Sequence, residues 1–373
     1  MKCNILTLVI PLVGLAGAAF LTPSSNVTGA TTVTLPAGIV TGSLDSGVEY
    51  YRGIPYAQPP IGPLRLKPPV RLENFGSVQA TGIGPACPQM TAIEITPLLL
   101  EVATLPDVQQ TLFFGSSLGD ETEDCLTISV MRPQGTTVNA KLPVLFWIFG
   151  GGFETGSPQA YNASVLIPQS VAQGKPIIFV AVNYRLGAFG FLGGSEVLAD
   201  GAANLGLLDQ RMGLEWVADN IAAFGGDPDA VTIWGESAGS ISVFNQLALF
   251  DGNNTYKGRP LFRAAIMDSG SIAPTEPVDG VKAQKIFETV AAAAGCALEA
   301  DSAKLPCLRR VDYDTFLNAS NSVPPYLGFN SLAFNYAPRP DGQILTDSPE
   351  VLARTGKYAA VPLIIGNQEN EAG

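Results

Sequence analysis

Residues 234–240 read WGESAGS, between the β-branched run Ala230-Val231-Thr232-Ile233 and the helical stretch ISVFNQLALF. A serine framed as Gly235-Glu236-Ser237-Ala238-Gly239 has the pattern of a nucleophile held on a sharp strand-to-helix turn. The flanking glycines let the backbone pack closely there, and the serine oxygen is left exposed. The helix that follows points its first amides at the same place and so favours developing negative charge. The alternative is that Ser237 only caps the helix; the strand before it and the helix after it are the context that favours the nucleophile. A serine nucleophile needs a base to take its proton, usually histidine. The 373 residues contain no histidine.

Two more segments carry matching chemistry. In FGGGFETGS (149–157) three glycines follow an apolar run directly, so backbone N–H groups are free to approach a substrate oxyanion. Gly151 and Gly152 are the expected donors, with the Ala238 amide as a third; the plainer reading is a flexible turn. In LIIGNQENEAG (363–373), Glu369 and Glu371 follow the last apolar run. A carboxylate here could orient a histidine in the chain order Ser, acid, His, although composition alone reads two such acids as solvated.

The elements that must position these residues are legible as alternating strand and helix. LPVLFWIF (142–149), PIIFVAVNY (176–184), VTIW (231–234), RAAIMDS (263–269) and VPLIIGN (361–367) are continuous rather than alternating apolar runs, which points to parallel strands covered on both faces. Residues 205–227 show helical spacing and reach Gly225-Gly226, a stop signal, so they form a crossover helix. Before this region, Thr31 to Tyr56 alternates short β-like runs with glycine and proline, and YRGIPYAQPPIGPLRLKPP (51–69) is too proline-rich to be helix. Without a repeat or a second linker, one doubly wound α/β domain is the economical architecture.

With 46% hydrophobic residues the chain can bury a large core, and a net charge of -12 with 21 Lys and Arg argues against a nucleic-acid surface or an anionic membrane patch. The first 20 residues run from Lys2 through ILTLVIPLVGLAGAAF to small residues, which is the layout of a secretory signal peptide ending near Ala18 or Ala19. Residues 1–19 are therefore expected to be a signal, and the mature protein secreted and extracellular. Cys3 leaves with it; Cys87, Cys125, Cys296 and Cys307 remain as an even set in an oxidising compartment, and three pairings are open. Sequons at Asn26, Asn162, Asn253 and Asn318 fit N-glycosylation.

Taken together, RGIPYAQPPIGPLR (52–65), EDCLTISV (123–130), FGGGFETGS, NYRLGAFGFL (183–192), NLGLLDQRMGLEWV (204–217) and FGGDPDAVTIWGESAGS (224–240) closely resemble the type-B carboxylesterase/lipase family, in its fungal Candida-type lipase branch. The match runs from about Thr34 to the final residue. The resemblance implies an α/β-hydrolase fold with a mostly parallel sheet over residues 20–373. Ser237 matches the nucleophile, Gly151, Gly152 and Ala238 the oxyanion donors, and Glu371, with Glu369 its neighbour, the acid. It also implies the pairings Cys87 with Cys125 and Cys296 with Cys307, and an ion pair between Arg52 and Glu123. Members of that family continue past the acid to a catalytic histidine, so the chain reads as C-terminally truncated and the fold as incomplete at that end.

The implied function is a secreted lipase or carboxylesterase, with an acyl-enzyme on Ser237 and an ester or lipid substrate met at a lipid–water interface. No cofactor, metal, nucleic acid or obligate protein partner is implied. The loop between Cys87 and Cys125 carries Ile93, Ile95, Leu98, Leu99, Leu100, Val102, Phe113 and Phe114, and matches a flap that covers the acyl site in the fungal lipases. That favours lipase over small-ester esterase. The alternatives are a small-ester carboxylesterase, an inactive fragment and a noncatalytic binding member.

Overall fold

A computed structural model of the protein describes residues 29–82, 84–90, 120–328, 331–332 and 334–369. The expected signal segment, Asn26, the apolar flap residues Ile93 to Phe114, and Glu371 lie outside the described residues.

Ten strands form one sheet: β1 (Gly29–Leu35), β2 (Gly38–Asp45), β3 (Val48–Pro55), β4 (Gly76–Gln79), β5 (Thr127–Pro133), β6 (Leu142–Ile148), β7 (Ile178–Val182), β8 (Gly226–Glu236), β9 (Ala264–Asp268) and β10 (Leu363–Gly366). Their order is β1-β2-β3-β5-β7-β6-β8-β9-β10, with β4 on β2. The sheet is α/β and mixed. Along that order neighbours from β1 to β7 run antiparallel, and from β7 through β6, β8 and β9 to β10 they run parallel; β4 runs parallel to β2.

The sequence explains this division. In β1, Val33 and Leu35 are buried while Thr32 and Thr34 are exposed, the period of a hairpin with one wet face. All five residues of β7 are buried, as required of a strand with helices over both faces. Among those helices are α1 (Leu205–Asn220) and α2 (Ala238–Gly252), the latter regular as far as Ala248. The helical pattern expected over 205–227 divides into α1 and a 3-10 turn ending at Phe224; Gly225, at φ 81°, closes it in the left-handed conformation that glycine adopts without strain.

The register brings the strand ends level. Ile148 of β6 pairs with Gly235 of β8, Glu236 with Asp268 of β9, and Asp268 with Gly366 of β10. The tips that carry FGGGFETGS, Ser237 and the segment leading to Glu369 therefore leave the sheet along one edge, at the carboxyl ends of the parallel strands. The disulfides are Cys87–Cys125 and Cys296–Cys307, as the resemblance implied.

One expected contact is replaced. Arg52 does not pair with Glu123. It sits in the register shift between Tyr51 and Ile54, where its guanidinium lies 4.2 Å from the centre of the Tyr50 ring on its own strand. Glu123 is held instead by Arg65, whose Nε and Nη2 donate to the two carboxylate oxygens at 2.6 and 2.7 Å, both residues buried. Arg65 also donates to the Leu308 and Val311 carbonyls, so the proline-rich wrapping loop is tied to the first disulfide and to the helix at Asp301–Arg310. The geometry of a planar five-donor fork suits this crossing of three segments.

Candidate active site

Ser237 follows β8 without a break and precedes α2, with φ 55° and ψ -124°. That region strains any residue bearing a Cβ, by roughly 1–3 kcal/mol, and persists only where the surroundings fix it. They do so here. The Ser237 amide donates to the Asp268 carbonyl at 2.9 Å. A Cβ at Gly235 would lie 2.4 Å from the Gly239 carbonyl carbon, and one at Gly239 only 2.0 Å from the Ile148 carbonyl oxygen. The two glycines of the motif are therefore required by backbone-to-backbone approach, and the turn they permit leaves Ser237 half-buried with its side chain at a cavity.

Across that cavity is the glycine run. The space, about 100 Å³, is lined by Gly150, Gly151, Thr155, Tyr161, Ser237 and Tyr326, among others. A Cβ on Gly150 would be 2.9 Å from the Ser237 Cβ, which measures how closely the loop faces the serine. Gly151 (φ 109°) and Gly152 (φ 65°) both occupy left-handed backbone, and the intervening turn is closed by the Glu154 and Thr155 amides donating to the Gly151 carbonyl at 3.1 and 2.9 Å. This ordered turn replaces the flexible one that the glycines alone would allow. The loop is braced from outside by Gln89, whose side chain accepts from the Gly156 amide at 2.6 Å and donates to its carbonyl at 3.0 Å. Ala238 opens α2, and the first amides of a helix have no intrahelical acceptor, so they remain available to an anion beside Ser237.

The structure thus brings Ser237, Gly151, Gly152 and Ala238 to one place. Glu369 is on the exposed segment after β10; Glu371 lies outside the described residues. Asn162, Asn253 and Asn318 are exposed.

Two residues of the site were not anticipated. Glu154 is fully buried, and its carboxyl is pushed up to about 7 by burial, against the pull of the Tyr326 and Tyr336 amides and the more distant Lys282 charge. Tyr326 packs on Gly152, where a Cβ would fall 2.5 Å from its ring, and burial raises its phenol. Glu154 is the one charged residue of FGGGFETGS, and that is the sequence signal that could have marked it. Nothing local marks Tyr326. A second apolar cavity of about 80 Å³ lies one helical turn from Ser237, lined by Phe153, Ile241, Phe334 and Pro338 among others.

Residues 29–373 match the sequence profile described as the carboxylesterase family. The chain is 52% identical to "Secreted lipase 1" of Botryotinia fuckeliana, over 97% of this chain and 65% of that protein. It is 54% identical to "Secreted triacylglycerol lipase LIP1" of Gibberella zeae, over 91% of this chain and 57% of that one. Among solved structures, EstA of Aspergillus niger superposes with a TM-score of 0.72 at 33% identity, covering 90% of this chain and 59% of the other. The chain therefore spans less than two thirds of the length of these relatives.

Proposed function

Because this chain belongs to the carboxylesterase family, we propose that its protein is a secreted serine ester hydrolase that cleaves carboxylic esters, acylglycerols in particular, through an acyl-enzyme on Ser237. The observation that carries this reading is the strained backbone at Ser237, enforced by Gly235 and Gly239, with a glycine loop facing it across a shared cavity.

In this reading the Ser237 oxygen attacks the ester carbonyl carbon while a base takes its proton. The carbonyl oxygen becomes an oxyanion held by the amides of Gly151, Gly152 and Ala238. The alcohol leaves with a proton returned by the base, and water then hydrolyses the acyl-enzyme by the same route. Glu371 is the proposed acid that orients and balances the base. The base itself is not among the 373 residues, which contain no histidine.

The similarity to two proteins named as secreted lipases supports both export and a lipid ester. The apolar cavity beside Phe153 and Ile241 supports an acyl chain as the group lodged next to the serine. Turnover of triacylglycerol emulsions and of p-nitrophenyl esters by the natural gene product tests the proposal. Ser237→Ala is expected to lower both by several orders of magnitude in a folded protein. Near-normal turnover by that variant removes Ser237 from the role.

A further inference from the structure

Among the described residues two acids, Asp209 and Glu154, are fully buried, and they are used differently. Asp209 is held by the Arg185 guanidinium at 2.7 and 2.8 Å. Glu154 has no ion-pair partner among the described residues. A buried carboxyl without a cation is costly, and such groups persist where their geometry is needed.

The geometry of Glu154 is specific. Its Oε2 accepts the Tyr326 amide at 2.8 Å, across 172 residues of sequence. Its Oε1 is buried with no partner at hydrogen-bond geometry, although the Tyr336 amide is near enough to favour ionisation. Its own amide donates to the Gly151 carbonyl, and its carbonyl accepts the Met90 amide at 2.8 Å. One residue therefore joins the glycine loop, the chain beside the first disulfide and the segment at 324–326. The Tyr326 ring carried by that last segment lies against Gly152, so the position of the ring follows from the bond to Glu154.

We propose that Glu154 is a positioning residue for the oxyanion loop: by accepting the Tyr326 amide it seats the Tyr326 ring on Gly152 and holds the Gly151 and Gly152 amides in the direction that catalysis needs. This rests on the functional reading above. Glu154 touches no reacting atom and acts through Gly151, Gly152 and Tyr326. The charged and titratable groups that bear on it are Lys282 and the phenols of Tyr326 and Tyr336.

The test compares the natural gene product with Glu154→Ala and Glu154→Gln in two ways. The first is kcat and KM for p-nitrophenyl butyrate, per active site titrated with an organophosphate. The second is amide hydrogen exchange over 150–156 and 324–327. Glu154→Ala is expected to lower kcat per titrated site by about 10- to 100-fold, the scale of a misplaced oxyanion donor, with little change in KM. Exchange should quicken in both segments. Glu154→Gln keeps an acceptor for the Tyr326 amide and should recover most of the loss. Unchanged kcat per titrated site in Glu154→Ala overturns the proposal, as does a Gln variant as impaired as the Ala variant. If Glu154→Ala does not fold, Glu154→Asp, one methylene short of the Tyr326 amide, is read in its place. If no protein in the set turns over ester, the functional reading fails, and exchange alone decides the clamp: faster exchange in Ala but not Gln upholds it, and unchanged exchange overturns it.

Discussion

Around Gly239 the backbone of neighbouring elements meets so closely that a Cβ would stand 2.0 Å from the Ile148 carbonyl oxygen, whereas Gly366, at the tip of β10, has nothing within 4 Å. Both lie at the same edge of the sheet, Gly239 in the first turn of α2 and Gly366 at the end of β10. On β8 the side chains of Val231 and Ile233 are buried; on β10 Leu363, Ile364 and Ile365 are 42%, 64% and 56% exposed. Ser237 and the glycine loop facing it are thus fixed by contacts within the described residues. The strand that leads to Glu369 has one neighbour among the described residues, β9, and exposed apolar side chains. The first region can hold a strained serine in place; the second is held by far fewer contacts.

That comparison can be broken by placing a methyl group in each region. In an exposed helix, alanine for glycine stabilises by about 0.5–1 kcal/mol. Gly239→Ala is expected to do the reverse and cost about 3 kcal/mol or more, because the Ile148 and Phe149 backbone must move. Thermal unfolding that is unchanged or improved in this variant contradicts the close approach at the elbow.

A similar loss is expected at the ion pair that ties the wrapping loop down. Arg65→Met leaves the Glu123 carboxylate buried and unpaired, at a cost of roughly 3–5 kcal/mol. Arg52→Met, which removes only a stacking contact on Tyr50, should cost less than about 1 kcal/mol. Equal denaturation midpoints for the two variants would remove the distinction between them.

The elbow, the glycine loop, the central strands and the crossover helix were legible because each is local: glycine at a tight turn, an apolar run, helical spacing. The antiparallel half was legible as strand but not as pairing, since alternation in β1 specifies a face and not a neighbour. What escaped were contacts between distant segments. Glu123 sits in EDCL wherever its partner comes from, and its partner proved to be Arg65 rather than Arg52, at a separation of 58 residues. Glu154 and Tyr326 are further apart still, and only folding brings the amide of one to the carboxyl of the other.

The buried carboxyl gives a pH-dependent prediction. Its pKa rises from 4.5 to about 7 on folding, so the folded state binds this proton more tightly than the unfolded state does. The stability contributed by the protonated form is complete below about pH 4.5 and is lost as pH rises to about 7. Glu154→Gln carries no charge, so its stability relative to wild type should increase across that interval and level off above it, by up to about 3 kcal/mol. Denaturant midpoints at pH 5 and pH 8 that differ from wild type by the same amount contradict this.

The smallest effects return to the two glycine environments. Ser237→Gly removes the Cβ from strained backbone and should raise stability by about 1 kcal/mol while abolishing turnover. Gly366→Ala should change stability by less than about 0.5 kcal/mol, as at any open position. A destabilised Ser237→Gly, seen as a lower Tm, would mean that the turn at Ser237 is not strained.

The most direct measurement is hydrolysis of p-nitrophenyl butyrate by a polypeptide of these 373 residues and by its Ser237→Ala variant, with organophosphate labelling of both. The account predicts that the two rates are equal within error and that label on Ser237 is weak or missing, because the serine and its oxyanion loop are present without any imidazole to take the proton. Turnover that depends on Ser237 in this polypeptide would show that another group within it serves as the base, and would contradict the proposal that an imidazole is required.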